Sequence, residues 1–345
     1  HIIHHSFGDK FKTCVGKPME LTRMESNIED IEENLNQLKQ LIDDTPARFI
    51  FNLDEVGHND FSDAEEKRVI VPIDYEACVA PYAVARKGKR SSCLVCISPY
   101  GIFGKPQIVV SRVTFDSNMY QYIPYDAFQI VHTKSGFVNS DSFLHYMQTI
   151  FLPNLRDLRE KVQYYGKAVL IMDGYLSHQK VIESLNFEED NLFIHFLVPH
   201  TSDQTQPLDI SIFGVMKRFQ ANFKSKNFLS YQTNQILKIH QTLYQACTPT
   251  NCMSAFRSIG IIPRIYKIDD KFYEIIEFDV TKCAKIRGYK ISYIEELIAR
   301  NAPLTPNQQL IYQQHINQNN PNFQQDQTIY RIPIESFATN NQNNA

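Results

Sequence analysis

The chain is 345 residues long, 43% hydrophobic and 12% aromatic, with a formal net charge of −3. That apolar content builds a proper core and excludes a mainly disordered protein, while the length holds one large α/β domain with extensions or two smaller domains. The near-neutral charge excludes wholesale polyanion binding by charge alone, so any nucleic-acid contact falls to local basic patches.

Seven cysteines, an odd number spread from Cys14 to Cys283, do not form a secreted disulfide framework. Cys93 and Cys96 make a C-x-x-C with no second such pair to complete a zinc site. In a strand, a spacing of three sends them to opposite faces. All seven read as reduced, mostly buried thiols. No run nears the roughly 20 apolar residues of a membrane span, and no secretory signal is seen, so a membrane is not an expected partner. The chain starts at His1 rather than Met, which is expected of a fragment missing an upstream segment.

Ser26-Asn-Ile-Glu29 reads as a capping box opening a helix with Ile28, Ile31, Leu35, Leu38, Leu41 and Ile42 on one face. The run from Arg48 to Glu55 reads as a strand. Alternation puts Ile50, Asn52 and Asp54 on one face and Phe49, Phe51, Leu53 and Glu55 on the other, so Asp54 is the candidate acid and Glu55 the spare. Residues 57–85 form an irregular, initially acidic region. The basic cluster Arg86, Lys87, Lys89 and Arg90 follows; by itself it reads as a solvated turn between strands, and the alternative is a phosphate-backbone contact.

Ser92 to Ser98 and Gln107 to Val113 read as a hairpin through Pro99-Tyr-Gly101. Asn139 opens a helix running to about Leu152, where Pro153 interrupts it. Ala168 to Met172 is an unbroken apolar run, a strand buried on both faces. It ends at Asp173-Gly174, which is a turn dipeptide and also the strand edge where open α/β sheets place ligands. A short helix capped around Ser177 and a strand from Leu192 to Val198 come next. Pro207 then stands just inside a helix carrying Ile212, Phe213, Met216, Phe219 and Phe223 on one stripe. Asp209 falls on that stripe, and an acid aligned with a buried face needs a cation as partner. Lys217 and Arg218 decorate the same helix as a second patch able to face phosphate. Helical pattern continues to about Phe256, and beyond Pro303 the chain turns Asn/Gln-rich.

Three strands, then helix, strand, helix, strand and helix is the order of a ribonuclease-H-like α/β fold, a mixed sheet flanked by helices. Three carboxylates converging there, Asp54, Asp173 and Asp209, would hold two magnesium ions through hard oxygen ligands, as in-line phosphoryl transfer uses them.

Phe51-Asn-Leu-Asp-Glu-Val-Gly57, Leu170-Ile-Met-Asp-Gly-Tyr-Leu-Ser-His178 and Gln206-Pro-Leu-Asp209 resemble the three signature blocks of the DDE superfamily endonuclease domain, of the type found in pogo, Tigger and Jerky-like transposases within the Tc1/mariner superfamily. The 35 residues between Asp173 and Asp209, and a final Asp rather than Glu, are similar to that group. Residues 136–143 and 255–263 resemble its intervening helix start and its closing segment, so the resemblance covers about residues 30 to 265. Gly174 stands where the group usually has Asn, and His200 and Asp203 add charge to the loop before Asp209.

The resemblance implies that Asp54, Asp173 and Asp209 bind Mg²⁺ or Mn²⁺, two ions, and carry out DNA cleavage and strand transfer at transposon ends. It implies DNA as partner, both element ends and target, with a homodimer joining two ends, a nuclear location and no small-molecule substrate. The alternative is a domesticated relative kept as a DNA or chromatin scaffold without catalysis. His178 reads as an ordinary helix-start residue or a supporting one, and Gln206 as a residue lining the site. The expected layout is an amino-terminal linker with its helix over 1–45 (the family's upstream DNA-binding region being absent), the catalytic domain over 46–265, an extension over 266–302 and a disordered tail over 303–345.

Overall fold

The computed structural model describes residues 27–59, 90–111, 117–174, 181–224, 226, 229–268, 271–283 and 285–319. Six strands form one sheet: β1 (Ile50–Asn59), β2 (Arg90–Ile97), β3 (Gln107–Val110), β4 (Gln129–His132), β5 (Ala168–Met172) and β6 (Leu192–Phe196), in the order β4-β3-β2-β1-β5-β6. β1 is antiparallel to β2, and β2 to β3; β1 runs parallel to β5, and β5 to β6. This is the ribonuclease-H-like mixed sheet expected, with β4 added parallel to β3 at one edge. β4 has no sequence signal: Gln-Ile-Val-His is short and only partly buried. β2 and β3 are the expected hairpin neighbours, but their connection is longer than the turn at Gly101. Gly101 takes φ +90° with Pro249 pressed against it, a conformation and a space suited to glycine.

Helix α1 (Ile28–Ile42) is capped by Asn27, whose side chain accepts from the Glu29 N–H; this corrects the reading of Ser26 as the cap. Leu38 and Ile42 enter the main core, while Ile31 and Leu35 pack with Cys283, Ile286 and Tyr289. α1 is therefore packed into the body of the fold. Helix α2 (Ser140–Tyr146) starts at Asn139 with a capping box to Ser142. Pro153 does not end this helix. A π-helical turn at Met147–Phe151 precedes α3 (Leu152–Val162), with the Leu152 N–H donating to the Met147 carbonyl. The widened turn makes room for the proline ring, so the axis continues. Arg159 of α3 is buried and donates to the carbonyls of Tyr164, Gly166 and Asp190, bolting α3 to the start of β5 and the entrance of β6.

A short helix α4 (Ser202–Thr205) and a π-helical turn at Leu208–Ile212 lead into α5 (Phe213–Ala221), followed by α6 (Tyr231–Ala246) and α7 (Pro249–Arg257). One sheet face, with Ile50, Val56, Val95 and Ile171, packs on these later helices; the other, with Phe51, Leu53, Leu94 and Leu170, packs on α2 and α3. β5 is thus covered on both sides, which is why it reads as an unbroken apolar run. Cys93 and Cys96 fall in the two different layers, as their spacing requires, and both are free thiols.

Beyond the sheet, β7 (Ile261–Ile268) and β8 (Lys271–Phe278) form an antiparallel pair, and α8 (Ile291–Ala299) and α9 (Pro306–Asn319) follow. α9 corrects the expectation that the chain is disordered from 303: the Asn/Gln-rich run forms a helix, with Gln308 buried and donating to the Gly288 carbonyl. The expected short helix at Ser177 begins in residues that are not described.

Leu38→Ala should cost about 2–5 kcal/mol in urea unfolding, as large-to-small changes in a packed core do. A cost below about 0.5 kcal/mol, that of a surface change, would return α1 to the status of a linker.

Candidate active site

The parallel register of β1 and β5 pairs Asn52 with Ile171. Asp54 stands two residues farther along β1, and Asp173 follows the last residue of β5, two residues beyond Ile171, so the register brings both acids to the same edge of the sheet. Glu55 pairs with Leu94 on the opposite face, the face of Leu53, so alternation separates the adjacent acids as expected.

Asn52 brings in the third segment. Its side chain is fully buried; Nδ2 donates to the Ile171 carbonyl at 3.0 Å, and Oδ1 accepts from the Leu208 N–H at 3.1 Å. The Leu208 N–H is one of the donors that a helix start leaves without an internal partner. One amide therefore ties β1, β5 and the 206–209 segment together, and Asp209 is the next residue. Here the structure corrects one expectation. Leu208, not Asp209, fills the buried stripe with Ile212, Phe213 and Met216, and Asp209 is exposed. The cause is the π-helical turn, whose wider winding aligns residue 208 rather than 209 with the core. Phe219 is also largely outside the stripe, at 39% exposure.

Asp54 is only 9% exposed, and its pKa is raised well above the ordinary carboxylate value, first by burial and then by the charges of Asp209 and Asp173. The Glu55 N–H, donating to Asp54 Oδ1 at 2.7 Å, pulls the other way without cancelling this. Asp173 and Asp209 thus both stand close enough for their charges to act on Asp54. Among the described residues, no three His, Cys, Asp or Glu side chains are already drawn together at ligating spacing. The donor chemistry nonetheless fits a hard divalent cation: the groups are all carboxylates, and their mutual repulsion is relieved by positive charge.

Gln206 is fully buried, and neither its amide oxygen nor its nitrogen has a hydrogen-bond partner among the described residues. Lys217 and Arg218 are exposed on α5. Arg86, Lys87, Lys89 and His178 lie outside the described residues, and Arg90 begins β2. The charge at Asp203 has a structural use: Arg287 Nη2 donates to its carboxylate at 2.7 Å, and the Arg287 N–H donates to Gln204 Oε1 at 3.0 Å. The C-terminal segment so braces the loop leading to Asp209. Sequence reasoning missed the part played by Asn52, although its place two residues before Asp54, on the same strand face, was a signal. A cavity of about 240 Å³ opens elsewhere, floored by Phe51, Tyr146, Phe151 and Leu155; none of the three acids lines it.

Residues 106–260 match the family model described as DDE superfamily endonuclease. Among curated proteins, the chain is 30% identical over 109 residues to a protein named MFS-type transporter clz9 from Cochliobolus lunatus, over 28% of this chain and 12% of that protein. Among the described residues, no helix is long and apolar enough to cross a membrane. Similar solved structures include the Mos1 mariner paired end complex with Mn (16% identity, TM-score 0.47, covering 72% of this chain and 64% of that one). Another is the catalytic domain of Mos1 mariner transposase (13% identity, TM-score 0.37, 71% and 98%). The chain therefore spans under two thirds of the first of these structures and about an eighth of the curated relative.

Asp54 yields a test. Its folded pKa is raised, so its contribution to stability is full below its ordinary value of 3.8 and is lost as pH rises through the folded value. Without metal, the protein should therefore melt lower at neutral pH than under mild acid. Asp54→Asn should raise the neutral-pH melting temperature, by about 2–4 °C for each 1 kcal/mol of relief, and flatten the pH dependence. Thermal unfolding in EDTA across pH reads this; an Asp54→Asn protein that melts lower at neutral pH would overturn it. Asn52→Ala should destabilise at every pH, by about 1–3 kcal/mol for each buried group left unpaired.

Proposed function

We propose, from the match of residues 106–260 to the DDE superfamily endonuclease model, that the protein is the metal-dependent DNA endonuclease and strand-transferase domain of a DNA transposase, acting at transposon ends and on target DNA. The observation that carries this reading is the convergence of two acids on the buried Asp54, a site short of positive charge.

In this reading Asp54, Asp173 and Asp209 hold Mg²⁺ or Mn²⁺. Two such ions about 3.5–4 Å apart supply charge to the attacking and leaving oxygens of an in-line displacement at phosphorus. The protein's own part is placement. The strand register sets Asp54 and Asp173 side by side, and Asn52 fixes the start of the helix from which Asp209 projects. The Glu55 N–H holds Asp54 Oδ1 so that the other oxygen faces the site. Gln206, buried two residues before Leu208 with an amide that has no hydrogen-bond partner among the described residues, supplies a hydrogen-bonding group beside the acids. Lys217 and Arg218, on the helix that follows Asp209, face the phosphate backbone, as does the Arg86–Arg90 cluster. A homodimer joining two ends and a nuclear location belong to the same proposal.

Because Asp54 is pulled toward its protonated form, metal binding must displace that proton, and activity should rise with pH until the site is ionised. The test is nicking of supercoiled plasmid with Mg²⁺ or Mn²⁺, beside Asp173→Asn. The expected result is metal-dependent nicking, increasing with pH, that falls by at least about 100-fold in the variant, which corresponds to about 2.7 kcal/mol of transition-state stabilisation. Equal nicking by both proteins would remove Asp173 from the mechanism. Metal-dependent melting stabilisation without nicking would favour a DNA-binding scaffold.

A further inference from the structure

The segment that follows Asp209 has an unusual charge distribution. Positions 210 to 268 contain no Asp or Glu at all, in a chain with 38 of them, but carry Lys217, Arg218, Lys224, Lys226, Lys238, Arg257, Arg264 and Lys267. Arg264 is paired with Glu277 on β8. Lys217, Arg218, Lys224 and Arg257 are exposed. The segment starts beside Asp209 and runs through α5 to Lys226. From 208 to 221 the helical path is about 20 Å long, at about 1.5 Å per residue.

At its far end is a group of tyrosines. The 117–128 segment is anchored by Met119, Ile123 and Phe128, all buried in the main core. Between these anchors Tyr120, Tyr122 and Tyr125 turn outward, at 42%, 36% and 80% exposure. Tyr120 and Tyr125 lie with ring centroids 5.0 Å apart, and Lys226 Nζ stands 5.4 Å from the Tyr122 ring centre. Single exposed aromatics are ordinary; three within six residues, joined to a cation from the acid-free segment, are not. Asp126 is the one acid of the 117–132 stretch, which disfavours phosphate there and leaves the ring faces as the attractive surface.

We propose that Tyr120, Tyr122, Tyr125 and Lys226 form a stacking platform for unpaired bases of the DNA strand that the acid-free segment leads away from Asp209. The proposal rests on the DNA-processing reading above and adds a place where the strand must be unpaired. Every base has a face that stacks on an aromatic ring, so the platform tolerates any sequence.

The test uses the full chain carrying Asp173→Asn, so that DNA stays intact, and fluorescence anisotropy with two labelled DNAs: a fully paired duplex and the same duplex ending in eight unpaired nucleotides. Tyr120→Ala/Tyr122→Ala/Tyr125→Ala should weaken binding of the unpaired-end DNA about tenfold or more and leave the paired duplex within about twofold. The corresponding triple Tyr→Phe variant should bind like its parent, because stacking needs the ring and not the hydroxyl. It also guards against misfolding of the Ala variant. Lys226→Gln should weaken both DNAs and flatten the salt dependence. Equal loss on both DNAs, no loss on either, or a change from dimer to monomer in light scattering would overturn the platform; the last would make it a protein interface. If the chain with native Asp173 nicks plasmid yet the Ala variant binds both DNAs like its parent, only the platform fails. If the parent binds neither DNA, the nuclease reading fails with it.

Discussion

The side-chain amide of Asn52 is the contact on which the arrangement of acids depends. It donates to residue 171 and accepts from residue 208, 119 and 156 positions away in the chain, inside a core from which water is excluded. Each partner lies one or two residues before an acid: Asn52 before Asp54, Ile171 before Asp173, Leu208 before Asp209. Fixing those three backbone positions fixes where the carboxylates emerge. Both halves of the amide are used, so hydrophobic residues of similar size cannot replace it without stranding a buried donor and a buried acceptor.

Such a site is held together against its own charge. Asp54 is raised by burial and by its two neighbours, and the surrounding layers must offset that repulsion. They do so from both ends of β5. At its entry, Arg159 takes the Gly166 and Asp190 carbonyls, and Arg156 grips the buried Asp190 carboxylate with two nitrogens at 2.6 and 2.7 Å. At its exit, Asn52 holds the Ile171 carbonyl. Apolar layers on both faces of the sheet leave the strand nowhere to retreat.

The outer segments act on the same loop. Arg287 joins Asp203 and Gln204, so the chain beyond β8 steadies the approach to Asp209. α1 lies between this C-terminal segment and the core, and Asn34 reaches the Phe196 carbonyl and the His195 ring at the end of β6. Segments that look peripheral in the linear chain are thus part of the frame around the site.

Much of this was legible in local pattern. The unbroken run Ala168 to Met172 declared a doubly covered strand, alternation set Asn52 with Asp54 and apart from Glu55, and the stripe of α1 contained its four buried apolar residues, Ile31, Leu35, Leu38 and Ile42. These are statements about which face a residue takes, and backbone periodicity encodes faces directly. The tertiary structure alone decided the rest: the π-helical turn that moved Asp209 from the buried stripe to an exposed edge, the edge strand β4, the helix formed by the Asn/Gln-rich run at Pro306–Asn319, and the meeting of 52, 171 and 208. Each depends on partners distant in sequence, and the local order of residues carries no record of which carbonyl or donor will arrive from elsewhere in the chain.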